Sequence, residues 1–185
     1  LIFNGKKHIP AASLSPEAAA YVITCISATK TFNMAGLQAS TTVFPTVEMK
    51  NQFDRFWRNL EIHRNNAFSL IAMETAYREG EDWLEQLKAY LRDNFQFVHD
   101  YCEEHIPGVK AHIPDATYLM WLDCRGLGMR QEDLVKFMIE KAGLGLSNGK
   151  GFAPSLEGYM RLNAACPRAT LEKAMHQLEA AVKAL

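Results

Sequence analysis

The chain has 185 residues, of which 48% are hydrophobic, 22% charged and 10% aromatic, and 20 basic side chains face 21 acidic ones for a formal net charge of −1. That balance is the one expected of a soluble globular protein, and it excludes a disordered charged tail or a nucleic-acid binder built on a basic face. The length suffices to bury a sizeable core, as one domain or two small ones.

The first residue is Leu1 rather than Met, and the opening LIFNGKKHIP reads as the interior of a longer protein. Residues 21–26 (YVITCI) are β-branched and aromatic and predict a short buried strand. From about Val47 the spacing turns helical, through Phe53, Phe56, Trp57 and Leu60, then Phe68, Ile71, Ala72, Thr75 and Ala76. Phe53, Phe56 and Trp57 are expected in a core in preference to a dimer surface. Gly80 ends the run, and Glu81 and Asp82 supply the acidic first turn of a long helix. Leu84, Leu87, Leu91, Phe95, Val98 and Cys102 mark its apolar face, up to a break at Ile106-Pro107-Gly108.

Beyond the break, Val109, Ala111 and Ile113 alternate, and residues 118–122 (YLMWL) and 159–162 predict buried strands. Leu134, Val135, Phe137 and Met138 define a helix face between them. A final helix, capped by Thr170, carries Leu171, Ala174, Met175, Leu178, Val182 and Leu185 on one side. Strands alternating with helices predict an α/β layer in the last third. The plan read from the pattern is a piece of α/β structure, a helical connector, and a small α/β domain starting near Pro107.

Four widely spaced cysteines (Cys25, Cys102, Cys124, Cys166) with no C-x-x-C pair predict free thiols in a reducing compartment, the cytoplasm, and argue against a disulfide scaffold or structural zinc. His99, Cys102 and His105 spread over too wide an arc of helix for one tetrahedral ion, so no metal is expected there. Residues 31–47, the longest uncharged stretch, hold Asn33, Gly36, Gln38, Pro45 and five hydroxyl side chains, the wrong content for a membrane span. Neither nucleic acid nor membrane is an expected partner.

Between Glu17 and Glu48 lie thirty residues with a single charge, Lys30. Such a stretch is expected to be buried, and burial lowers the pKa of an ammonium and frees an amine able to attack a carbonyl. The alternative is a lysine whose stem lies along a half-buried turn while its amine reaches solvent. Ser27, Thr29 and Thr31 surround it with hydroxyls suited to a phosphate, or else to satisfying local backbone. An amine for an aldehyde beside donors for a phosphate is the pair that pyridoxal 5'-phosphate requires.

The segment S-A-T-K-T-F-N-M-A-G-L-Q, residues 27–38, resembles the cofactor-lysine segment of fold type I pyridoxal-phosphate enzymes, the aspartate aminotransferase superfamily. Within it, K-T-F-N-M-A-G-L-Q is most similar to the MalY/PatB-type cystathionine β-lyases and their aminotransferase relatives. G-Y-M-R-L-N-A-A-C-P-R, residues 158–168, resembles the segment around the family's substrate-carboxylate arginine, and D-A-T-Y-L-M-W-L-D, residues 115–123, resembles the first long strand of its small domain.

The resemblance implies an α/β fold, the C-terminal part of a fold type I transferase. Residues 1–50 would end the large domain, 51–106 form connector helices and 107–185 form the small C-terminal domain. It implies that Lys30 carries pyridoxal 5'-phosphate and then serves as base toward the substrate α-proton. Ser27 would bind the phosphate, and Arg161 would grip the α-carboxylate of an amino-acid substrate with its planar fork; a surface ion pair is the plainer use of that arginine. Gln38 stands where many relatives place a phosphate-binding arginine; an amide donates a hydrogen bond but brings no charge, which mildly favours lyase over transaminase. The implied activity is carbon–sulfur β-elimination from cystathionine or a similar substrate, the alternatives being an aminotransferase or a non-catalytic piece that needs an N-terminal half. A D-E-I-H-x-D-like segment, whose aspartate pairs with the pyridine nitrogen, precedes the region matching Leu1 in relatives, so the chain is expected to be a C-terminal half of a homodimeric enzyme.

Overall fold

The computed structural model describes residues 1–62 and 65–185, which fold as two compact units. One comprises Leu1–Lys6 with Leu87–Leu185, the other Lys7–Gln86. The architecture is mixed α and β, as the sequence predicts.

The unit of Lys7–Gln86 begins with a short helix, α1 (Pro16–Tyr21), which Ser15 caps by accepting from the Ala18 N–H. Strand β1 (Thr24–Ile26) pairs antiparallel with β2 (Thr41–Val43), and helices α2 (Val47–Asn59) and α3 (Ser69–Glu79) follow. Thr46 caps α2 from its side chain, which accepts from the Met49 N–H. Two expectations fail here. Tyr21 closes α1 instead of opening a strand and is 83% exposed, and Ile26 in the shortened strand is half exposed. A β-branched run reports an extended backbone, but a two-stranded ribbon buries neither face unless another layer covers it. Likewise Phe53 and Phe56 are exposed, and no residue of α2 is buried, so these aromatics are not core within this unit. They form a ladder instead, Phe44 against Phe53, Phe53 against Trp57, and Trp57 against Phe56, with ring centroids 5.1–5.8 Å apart.

In the other unit, β3 (Lys110–His112), β4 (Leu119–Asp123), β5 (Ser147–Asn148) and β6 (Tyr159–Asn163) form an antiparallel sheet in the order β3-β4-β6-β5. Helices α4 (Glu81–His105), α5 (Gln131–Glu140) and α6 (Arg168–Lys183) supply the rest of its core. Strands β4 and β6 alternate buried and half-buried residues, so Met120, Leu122, Met160 and Leu162 face the helices. Leu91, Phe95, Val98 and Cys102 of α4 meet Leu134 and Met138 of α5 and Leu171, Met175 and Leu178 of α6 in one continuous cluster. Each such side chain contributes roughly 1.5–3 kcal/mol by leaving water. Phe3 joins the same cluster, edge-on to Phe95 at 5.4 Å, while its N–H donates to the Asp115 carbonyl.

The last helix starts earlier than expected. Pro167, not Thr170, holds the N-cap position, in extended conformation. The side-chain partner of the helix start comes from α4: the Arg168 N–H donates to the Tyr90 hydroxyl at 2.7 Å. Among the described residues no helix is long and apolar enough to cross a membrane.

Candidate active site

The residues singled out in the sequence fall into two groups. Ser27, Lys30 and Gln38 share one loop between β1 and β2, and Arg161 lies in β6 of the other unit.

The loop is closed at its base by hydroxyl chemistry. Ser27 Oγ donates to the Ala39 carbonyl at 2.6 Å and accepts the Thr29 N–H at 3.1 Å. A serine hydroxyl has one proton, so Thr29 Oγ1, 2.7 Å away, is the donor to Ser27 Oγ. The chain then turns tightly, with the Phe32 N–H on the Ala28 carbonyl and the Met34 N–H on the Thr29 carbonyl. Asn33 and Gln38 take positive φ values of 53° and 52°, the left-handed region that Asn tolerates best among side-chain-bearing residues.

Ala28 and Thr29 are buried, but Lys30 is exposed. Burial of the charge-poor stretch, the premise for an activated amine, is therefore not supplied by the described residues. Few charges mark a stretch that avoids repulsion or solvation demands, and that is not the same as a stretch covered by its own chain. Among the described residues no carboxylate pairs with the Lys30 ammonium.

Phe32 anchors the loop. Its ring stacks on Trp83 at 5.5 Å, with planes 29° apart, and lies across the junction of α3 and α4. A Cβ at Gly80 would sit 2.5 Å from that ring, so the glycine is required by the close approach. Gln38 lines a cleft of about 640 Å³ with Ser40, Thr42, Phe53, Trp57 and Arg58.

Arg161 occupies the middle of β6, opposite Trp121 of β4 and Ser147 of β5. Cross-strand partners share a face, and Arg161 Nη2 donates to Ser147 Oγ at 3.4 Å. Its guanidinium lies over the Phe152 ring, 4.3 Å from the centroid. Sequence reasoning found the arginine but missed Trp121, Ser147 and Phe152. Trp121 was accessible from strand register, and the Asn148-Gly149 turn signal hinted that the chain folds back just before Phe152.

The donor set suits a phosphate-bearing aldehyde. Among the described residues the loop offers a primary amine with no carboxylate partner, in one segment with the Ser27 and Thr29 hydroxyls, whose protons go to the Ala39 carbonyl and to Ser27. The family model for aminotransferase class I and II matches residues 2–178. The chain belongs to that family. Among curated members of known name, cystathionine β-lyase PatB of Bacillus subtilis is 37% identical over 182 residues, covering 98% of this chain and 47% of that protein. Cystalysin from Treponema denticola, whose crystal structure contains pyridoxal 5'-phosphate, superposes with a TM-score of 0.94 at 28% identity, over 100% of this chain and 47% of that one. The pyridoxal-phosphate-bound C–S lyase of Staphylococcus hominis, in complex with L-cycloserine, gives 0.83 at 32% identity over 98% and 44%. This aminotransferase-family chain thus spans about half the length of the relatives it matches.

Proposed function

We propose that the chain is the C-terminal half of a pyridoxal-phosphate-dependent carbon–sulfur β-lyase that releases thiol, pyruvate and ammonia from cystathionine or a similar amino acid. The observation that carries this reading is the Lys30 loop: an amine with no ion-pair partner among the described residues, in the same short segment as the Ser27 and Thr29 hydroxyls. When bound, the cofactor supplies an aldehyde for an amine and a ring that spreads the negative charge left on a substrate α-carbon. Lys30 Nζ would hold it and, once displaced by substrate, take the proton from the α-carbon. Ser27 and Gln38 would face the phosphate; Gln38 donates without adding charge, so neutralisation falls to other groups. Arg161 would hold the α-carboxylate by two parallel N–H donors and so fix which bond at the α-carbon is aligned for breaking.

In this reading residues 1–50 end a large domain, 51–106 connect and 107–185 form the small domain. The working enzyme is a cytoplasmic homodimer, in keeping with four free cysteines. The aminotransferase reading shares each of these roles and differs after the α-proton is removed: a lyase loses the thiol leaving group from the β-carbon, whereas a transaminase keeps it and passes the amino group to a keto-acid acceptor. Full-length protein given cystathionine should form pyruvate with no keto-acid acceptor. Turnover that requires an acceptor would replace the lyase by a transaminase. Lys30→Ala should abolish both the near-visible absorbance and turnover, the latter by at least about a thousandfold; retention of both would remove Lys30 from the mechanism.

A further inference from the structure

Arg161 differs from two of the other stacked arginines of its unit. Arg125 lies 5.0 Å from the Tyr159 centroid and forks onto Asp123; Arg168 lies 4.7 Å from that of Phe97 and donates to Asn94. Arg161 has only one long hydrogen bond to Ser147 and no carboxylate among the described residues. A free arginine side chain samples many rotamers, so an arginine that must receive a carboxylate in one orientation needs something to hold its plane.

The structure assigns that task to Phe152: we infer that its ring is the platform that positions the Arg161 guanidinium for a substrate carboxylate. This rests on the reading of Arg161 as the carboxylate site. The central carbon of the guanidinium lies over the ring, 4.3 Å from its centroid. Stacking on the face leaves the in-plane N–H donors free, and those are the ones a carboxylate takes in pairs. The platform is itself braced. Phe152 meets Trp121 edge to face at 5.6 Å, and Trp121 meets Tyr159 in the same way at 6.5 Å.

The loop carrying Phe152 is built to reach this place. At Gly149 a Cβ would lie 2.5 Å from the Tyr159 carbonyl and 2.6 Å from that of Leu156, so only glycine lets the chain pass so close to β6. Asn148 Oδ1 accepts the Lys150 N–H, and the Phe152 N–H donates to the Gly149 carbonyl. Phe152 remains 52% exposed, so core packing is not what keeps a large ring here.

The test uses full-length holoenzyme and two competitors of cystathionine: propionate, which offers a carboxylate and no amine, and cysteamine, which offers an amine and no carboxylate. In Phe152→Ala and in Phe152→Leu, which keeps apolar bulk without a π face, the inhibition constant of propionate should rise about tenfold. That of cysteamine should stay within twofold, and Phe152→Tyr should restore propionate binding. Equal weakening of both competitors, or an unchanged propionate constant in Phe152→Ala and Phe152→Leu, would overturn the positioning role. Arg161→Gln separates the two levels. If it weakens propionate while the Phe152 variants do not, the platform fails and the carboxylate site stands; if it too leaves propionate unchanged, the site itself is elsewhere and the inference falls with it.

Discussion

Asp123, at the end of β4, takes two side-chain hydrogen bonds from Arg125 and one from the Tyr159 hydroxyl. The Arg125 hydrogen bonds outweigh the cost of partial burial and hold its carboxyl down at about 2, from an ordinary value of 3.8. A carboxylate whose pKa is depressed by folding stabilises the native state above its unfolded pKa and ceases to do so as the pH falls through the folded one. Arg125 is largely exposed, which screens the pair. Asp123→Asn should therefore cost on the order of 1 kcal/mol at pH 7, with the gap between variant and parent closing between pH 4 and pH 2. Denaturant melts at pH 7, 5 and 3 would show it; a gap that widens in acid would refute the assignment.

At the scale of elements, Asn94 ties α4 to the segment that follows β6. Its amide nitrogen donates to the Ala164 and Cys166 carbonyls, and its oxygen accepts from Arg168 Nε, all with the residue fully buried. Asn94→Ala would strand the buried Ala164 carbonyl and take a partner from the half-buried Cys166 and Arg168, a loss of about 2–3 kcal/mol; a shift in the denaturation midpoint worth less than 0.5 kcal/mol, roughly the effect of a surface substitution, would show that water replaces the amide. The sequence carried a sign of this, since Asn94 stands beside Phe95 and three residues after Leu91 on the buried side of α4. A polar side chain there demands partners.

Elements whose own pattern decides them were legible: α4 and α5 from helical spacing, β4 and β6 from apolar runs. What depends on distant neighbours was not. The exposure of Tyr21 and Phe53, the start of α6 at a contact with Tyr90, and the seating of Phe152 over Arg161 are each set by residues remote in the chain or by layers that composition does not reveal. The candidate site was half legible for the same reason: the proposed Ser27, Lys30 and Gln38 lie in one contiguous segment, whereas the surroundings of Arg161 come from three strands and a loop.

For the whole molecule, the distribution of core is uneven. Among the described residues every large, fully buried side chain belongs to Leu1–Lys6 with Leu87–Leu185, and the unit of Lys7–Gln86 buries only Ala28, Thr29 and Ser69. Local opening is easiest where little apolar surface is re-exposed. Limited proteolysis of the 185-residue chain should cut first within residues 7–86 and leave the Leu87–Leu185 region as the resistant product. Within that region burial pushes the Cys102 and Cys124 thiols up to about 12, so both should resist alkylation at pH 8 until the chain is unfolded. Early cleavage among α5, β6 or α6, or rapid native labelling of either thiol, would contradict this division of stability.

The single proton of Ser27 is already spent on Ala39. A phosphate oxygen can recruit that hydroxyl only by releasing the Ala39 carbonyl, so occupation of the loop should be written in the vibrational spectrum of one backbone bond. With ¹³C at the Ala39 carbonyl, its isotope-edited stretch should move to higher frequency when phosphate or cofactor arrives, as a carbonyl does on losing a donor. The base of the β1–β2 loop is in that sense a spectroscopic reporter for the phosphate proposed to bind there.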